Sequence, residues 1–196
     1  MVEYEKKIIL TADEYNAIVM LVRKCKTAKK QVNYYFDTND LAMHKKGITC
    51  RIREKNGIYK ATIKYHDAEY PDCSFEEDLA ERASFEPHIF NRIGLCCRGM
   101  LITERTIIHK DIFCEMVIDR NTYLGYTDFE LEIEYSKESE HRATELLEDI
   151  GRILVKARLV RDTNEFMKRV GQGQPKSQRF FAKKMEGGEG HAARFK

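Results

Sequence analysis

An α+β fold, with about eight antiparallel strands and helices packed outside the sheet, is what the sequence predicts. Two observations carry that expectation. Aromatic and β-branched runs recur from Gln31 to Leu79 and again from 100 to 135, and two stretches with apolar residues at helical spacing lie outside those runs.

Taken in order, residues 2–10 read as a strand. Thr11, followed three positions later by Glu14, is a capping box that opens a helix to about Cys25, with Tyr15, Ile18, Val19 and Val22 as its apolar stripe. Strands are expected at 31–37, 48–54, 58–65 and 72–79. Asn56 and Gly57 between the second and third of these predict a tight hairpin, because a primed turn needs positive φ at both central residues. A short helix is expected within 84–95, then strands at 100–109, 111–120 and 127–135. A second long helix over 139–155 carries Ala143, Leu146, Leu147, Ile150 and Leu154 on one face. A helical piece at 162–170 leads to the breaker cluster 171–175 and a basic, helical segment from Lys176 to Lys184. The expected organisation is one domain over 1–185 and a loose tail over 186–196.

Residues two apart on a strand point to the same side. Glu3, Glu5 and Lys7 therefore share one face, and Glu130, Glu132 and Glu134 share another, opposite Phe129, Leu131, Ile133 and Tyr135. Arg51 aligns with Arg53, and Lys60 with Thr62 and Lys64. The plainer account of each row is a solvated sheet face, but such faces usually mix charge signs. Like charges one strand repeat apart, roughly 6.5–7 Å, repel each other. A carboxylate row is relieved by a hard divalent cation, and an arginine and lysine row by phosphate. Together the rows describe a metal and polyphosphate site.

The bulk numbers bound the alternatives. The chain has 196 residues, 42% hydrophobic and 34% charged, and a formal charge of +2 that argues against a nucleic-acid partner. Its six cysteines lack zinc-site spacing and the first residues are charged, so a reduced cytoplasmic location is expected, with no membrane span. No ligand spacing links the histidines, and Gly171 and Gly173 follow a helix, unlike a nucleotide loop. Tyr34, Tyr35 and Phe36 read as packing residues, and oligomeric state carries no signal.

The motifs resemble those of the CYTH superfamily, the triphosphate tunnel metalloenzymes, and in particular its short bacterial members. The likeness rests on Glu3-Tyr4-Glu5-Lys6-Lys7, on Asn33 to Thr38, and on Leu41 and Gly47 leading into Cys50-Arg51-Ile52-Arg53. It continues through Thr62-Ile63-Lys64, Arg105, Asp119, Leu124-Gly125, Phe129 to Glu134 and Lys176 to Phe180. The segment 156–175 is longer and more charged than the family pattern, and 186–196 matches nothing in it.

The resemblance implies that the strands close into an eight-stranded antiparallel barrel, open as a tunnel, with the ionic faces inward. It implies action on a small triphosphate: inorganic tripolyphosphate, thiamine triphosphate or a nucleoside triphosphate. One branch of the family instead cyclises ATP to cyclic AMP, and a non-catalytic polyphosphate- or nucleotide-binding module is a third possibility. Glu3, Glu5, Glu130, Glu132 and Asp119 are then the expected ligands of Mg²⁺ or Mn²⁺, and Glu134 a further ligand or the base. Lys7, Arg51, Arg53, Lys64, Arg105, Lys176 and Arg179 are expected to hold the phosphates, with Lys7 also placed at the reaction.

Overall fold

The structure is a computed structural model that describes residues 2–22, 28–66 and 73–192. Eight antiparallel strands close into a barrel: β1 (Val2–Leu10), β2 (Lys29–Asp37), β3 (Ile48–Lys55), β4 (Ile58–His66), β5 (Cys73–Arg82), β6 (Cys96–Lys110), β7 (Cys114–Tyr123) and β8 (Tyr126–Tyr135). Around the barrel the order is β1-β5-β4-β3-β2-β6-β7-β8. Closure is uneven. β1 pairs with β8 from Tyr4 to Leu10 but meets β5 only through Val2, Glu3 and Tyr4. Along the rest of that seam the chain after Met167 covers the strand: Gly171 N–H donates to Lys7 O at 3.1 Å, and the Arg169 guanidinium donates to Ile9 O at 2.7 Å.

Among the described residues six α-helices surround the barrel: α1 (Ala12–Val22), α2 (Ala42–Lys45), α3 (His88–Asn91), α4 (Glu140–Lys156), α5 (Thr163–Met167) and α6 (Lys176–Ala192). The capping box at the start of α1 forms as expected. Thr11 N–H donates to the Glu14 carboxylate at 2.8 Å and Glu14 N–H to the Thr11 hydroxyl at 3.2 Å. The Asn56–Gly57 turn has φ of 55° and 80°, the primed geometry the dipeptide favours, and it sets Lys55 opposite Ile58. On the outer face of β8, Leu131 and Ile133 are wholly buried beneath Ala143, Leu147 and Leu154 of α4. This leaves the inner face to the glutamates, so one strand is buried on both sides.

Several expectations differ from the structure. α2 was not foreseen; its exposed N–H groups are capped by Asp37, which accepts from Met43 and His44 at 2.9 Å each, and by the Thr38 hydroxyl. The helix expected in 84–95 shrinks to α3, and β6 begins at Cys96 rather than 100. β7 begins at 114 because Asp111 accepts hydrogen bonds from Phe113 and Cys114 N–H and so forms the turn. The end of α1 near Cys25 lies outside the described residues. The tail expected at 186 is helical to Ala192, since a helix already nucleated by packed residues propagates at little cost.

α6 packs at one end of the tunnel. Phe180 and Phe181 are buried there against Tyr35, Leu41, Leu101 and Tyr123. The Ser177 and Thr49 hydroxyls share a buried hydrogen bond of 2.8 Å. The cavity reaches towards the other end, where Lys55, Lys60, Glu115 and Glu134 line it.

Candidate active site

Strand alternation turns Glu5, Lys7, Gln31, Asn33, Arg51, Arg53, Lys64 and Glu132 into one cavity of about 270 Å³. Register joins the strands' charges into two walls. On the acidic side Asp119 of β7 lies opposite Glu130 of β8, and Arg105 of β6 opposite Asp119. On the basic side Asn33 of β2 lies opposite Arg53, and Lys64 opposite Glu76 of β5.

The cations of the acidic wall are nearly all engaged. Lys7 Nζ is 2.9 Å from Glu5 and 3.8 Å from Glu132, and Lys64 reaches Glu5 at 3.4 Å. Arg105 holds Asp119 at 2.7 Å and also bonds Glu132. From α6, Lys176 sits among Glu132 (2.7 Å), Glu130 (2.9 Å) and Asp119 (3.0 Å). Arg179 bonds Asp128 at 2.9 Å and also Glu130. Asp119 and Glu130 are 0% exposed; they lie beneath Lys176 and do not line the cavity.

On the basic wall Arg51 pairs with Glu76 at 2.8 Å. Arg53 differs: its Nε donates to Asn33 Oδ1 at 3.1 Å, and among the described residues no carboxylate lies within ion-pair distance. Burial, and then the neighbouring Arg51 charge, pull its ionisation down from the usual guanidinium range to about 10. A guanidinium that faces a cavity has the chemistry to take anionic oxygens in a bidentate contact.

The carboxylates split in opposite directions. Burial pushes Glu5 up, but the charges of Lys7 and Lys64 outweigh it and hold the group at about 2. Burial and the Glu132 charge raise Glu130 to about 7, whereas Lys176 and other cations overcome burial and keep Glu132 well below the usual carboxylate range. Glu5 thus contributes stability that is fully present above 4.5 and lost as pH falls towards about 2. Glu5→Gln is expected to flatten that acid limb in urea titrations taken across the window. An unaltered acid limb in the variant rules out the Lys7 and Lys64 pairing as its source.

Of the expected residues, the structure brings together Glu5, Lys7, Arg51, Arg53, Lys64, Arg105, Glu132 and Lys176 at the cavity. Glu134 is exposed at its mouth, while Asp119, Glu130 and Arg179 stand behind its wall. The Glu3 side chain lies outside the described residues. Two participants were missed. Asp128 extends the 130, 132, 134 row by one step, a signal that was available; it anchors Arg179 and accepts from Tyr123 Oη at 2.7 Å and Asn121 at 2.9 Å. Glu76 gave no signal, because only the β4–β5 register shows it facing Lys64.

The donor set fits a hard divalent cation. Glu5 and Glu132 flank the Lys7 ammonium, so two carboxylates already face one cationic position. Among the described residues no three metal-ligating side chains converge on one point. That arrangement suits an ion held by one or two carboxylates and completed by substrate phosphates and water.

A barrel with an ionic interior of this kind defines the class. The CYTH domain profile matches residues 1–161, and the chain belongs to the CYTH domain family. It is 29% identical over 148 residues to YjbK of Bacillus subtilis, a proposed triphosphatase, covering 68% of this chain and 77% of that one. Its fold is similar to bh2851 of Bacillus halodurans, a proposed adenylate cyclase, with TM-score 0.63, 23% identity and coverage of 91% and 97%. It is also similar to HpAC1 of Hippeastrum, a proposed adenylyl cyclase with a dominant triphosphatase activity, with TM-score 0.55, 14% identity and coverage of 76% and 87%.

Proposed function

We propose that this protein is a divalent-metal-dependent triphosphatase that removes the terminal phosphate of inorganic tripolyphosphate or of an organic triphosphate. The observation that carries this reading is Arg53, a guanidinium without a carboxylate partner among the described residues, beside Arg51 in an ionic cavity. The YjbK and HpAC1 likenesses point the same way.

In this mechanism Arg51, Arg53 and Lys64 take the non-bridging phosphate oxygens, with the arginines providing bidentate contacts. Glu5 and Glu132, the two carboxylates that reach the cavity around Lys7, are the residues that would hold Mg²⁺ or Mn²⁺. The chemistry such an ion supplies is neutralisation of phosphate charge and polarisation of the reacting oxygens. Lys7 and Arg105 stabilise charge that builds on the phosphates in the transition state. Glu134, at the mouth, accepts the proton of the attacking water, and the rest of the substrate leaves: pyrophosphate from tripolyphosphate, or the organic diphosphate from an organic triphosphate. Lys176 and Arg179 fix the acidic wall from α6. We assign the protein to the reduced cytoplasm, consistent with the free thiols of Cys50, Cys96, Cys97 and Cys114. No described helix is long and apolar enough to cross a membrane.

A panel of tripolyphosphate, thiamine triphosphate and ATP, each with Mg²⁺ and with Mn²⁺, tests the reading. Phosphate release is expected, abolished by a chelator and reduced about a hundredfold or more in Glu132→Gln. Cyclic AMP and pyrophosphate from ATP would replace this reading with a cyclase, and tight binding without turnover would replace it with a binding module.

A further inference from the structure

Tyr35 stands apart from its motif neighbours. Tyr34 packs against Phe85 with ring centroids 4.5 Å apart, and Phe36 packs against Phe90 at 4.9 Å. Tyr35, the intervening residue of the strand, points inward and lines the cavity although it is only 1% exposed. Its ring is seated by α6, with Phe180 at 5.0 Å and Phe181 at 5.9 Å. The seat depends on Gly99, which lies opposite Tyr35 in the β2–β6 register. A Cβ at Gly99 would come within 2.8 Å of the Phe180 ring, and the φ of +142° there also disfavours a side chain. The backbone therefore fixes the direction of the phenol.

A buried tyrosine hydroxyl normally finds a hydrogen-bond partner. Among the described residues that of Tyr35 makes no hydrogen bond, and the side chain lines the cavity together with Arg51, Arg53 and Lys176. A neutral O–H donor thus shares the cavity with three cations and, among the described residues, has no acceptor. The complementary group is an oxygen-rich anion.

We propose that Tyr35 is a substrate-contacting residue, whose hydroxyl donates a hydrogen bond to a phosphate oxygen held by Arg51 and Arg53. This rests on the triphosphatase reading and adds a donor to it. Burial raises the ionisation of the phenol, so it stays a donor when the carboxylates around it are charged. A neutral donor also binds phosphate oxygen without adding to the repulsion between Arg51 and Arg53.

Tyr35→Phe keeps the ring on Phe180 and Phe181 and removes one oxygen. The experiment compares it with the wild type in three measurements: thermal unfolding, tripolyphosphate turnover with Mg²⁺ or Mn²⁺, and calorimetric binding of tripolyphosphate in chelator. The expected result is an unchanged unfolding temperature with kcat/KM lowered about ten- to a hundredfold, the range for losing one hydrogen bond to a charged group. Binding should weaken as well. Full activity and binding in the variant overturns the assignment of Tyr35 while leaving the triphosphatase reading intact. Equal losses of activity and unfolding temperature overturn it too, since the hydroxyl would then be structural. A wild type that neither binds nor hydrolyses any triphosphate removes both.

Discussion

Arg53→Met is expected to reduce tripolyphosphate turnover by about a hundredfold or more while leaving stability within about 1 kcal/mol of the wild type. The two effects separate because, among the described residues, Arg53 has no carboxylate to abandon. Methionine keeps the apolar stem, and the loss is one hydrogen bond of 3.1 Å to Asn33. Releasing a buried guanidinium that burial and Arg51 disfavour offsets that loss. Arg51→Met is the contrast. It takes away the guanidinium that lies 2.8 Å from Glu76 and should cost about 2 kcal/mol in urea unfolding as well as activity. If both variants lose stability alike, Arg53 is a structural cation and the phosphate site must be sought elsewhere in the barrel.

Lys176→Met is expected to give the largest stability loss, about 3–5 kcal/mol near neutral pH and above, or roughly 6–20 °C in unfolding temperature. Lys176 is within 3.0 Å of Asp119, Glu130 and Glu132, and its removal leaves their charge to Arg105 and Arg179. The loss should depend on pH with a definite sign. Burial and Glu132 already lift Glu130 from 4.5 to about 7, and Lys176 opposes that lift. Without the lysine the folded-state value moves further up. A carboxyl raised in this way contributes stability that is present below 4.5 and lost as pH rises through its folded value. The variant should therefore come nearest the wild type at acid pH and fall away above about 7. Chemical unfolding at several pH values reads this directly, and a deficit of constant size would show that Lys176 acts through packing of α6 instead of through the carboxylates.

Much of the barrel was legible because its signals are local. The capping box of α1, the Asn56–Gly57 turn and the alternation of β8 each depend on residues within a few positions of one another. The rows of like charge also pointed inward correctly for Glu5, Arg51, Arg53, Lys64 and Glu132. What local pattern could not supply was the pairing of one row with another. Glu76 became visible only through register with Lys64, and the burial of Asp119 and Glu130 only through the arrival of Lys176. The helix α2 escaped notice because its caps come from Asp37 and Thr38, side chains that also read as the end of a strand.

The sequence by itself determined which side chains share a face, since alternation along a strand is a property of the backbone and needs no partner. It thereby set Leu131 and Ile133 apart from Glu130 and Glu132. Only the tertiary structure decided which charges are satisfied and which are left for a ligand. Arg51 and Arg53 are the same residue type two positions apart, yet among the described residues one meets Glu76 and the other only an amide. That difference arises from contacts between strands distant in the chain, where Coulomb energy falls with separation in space and takes no account of separation in sequence.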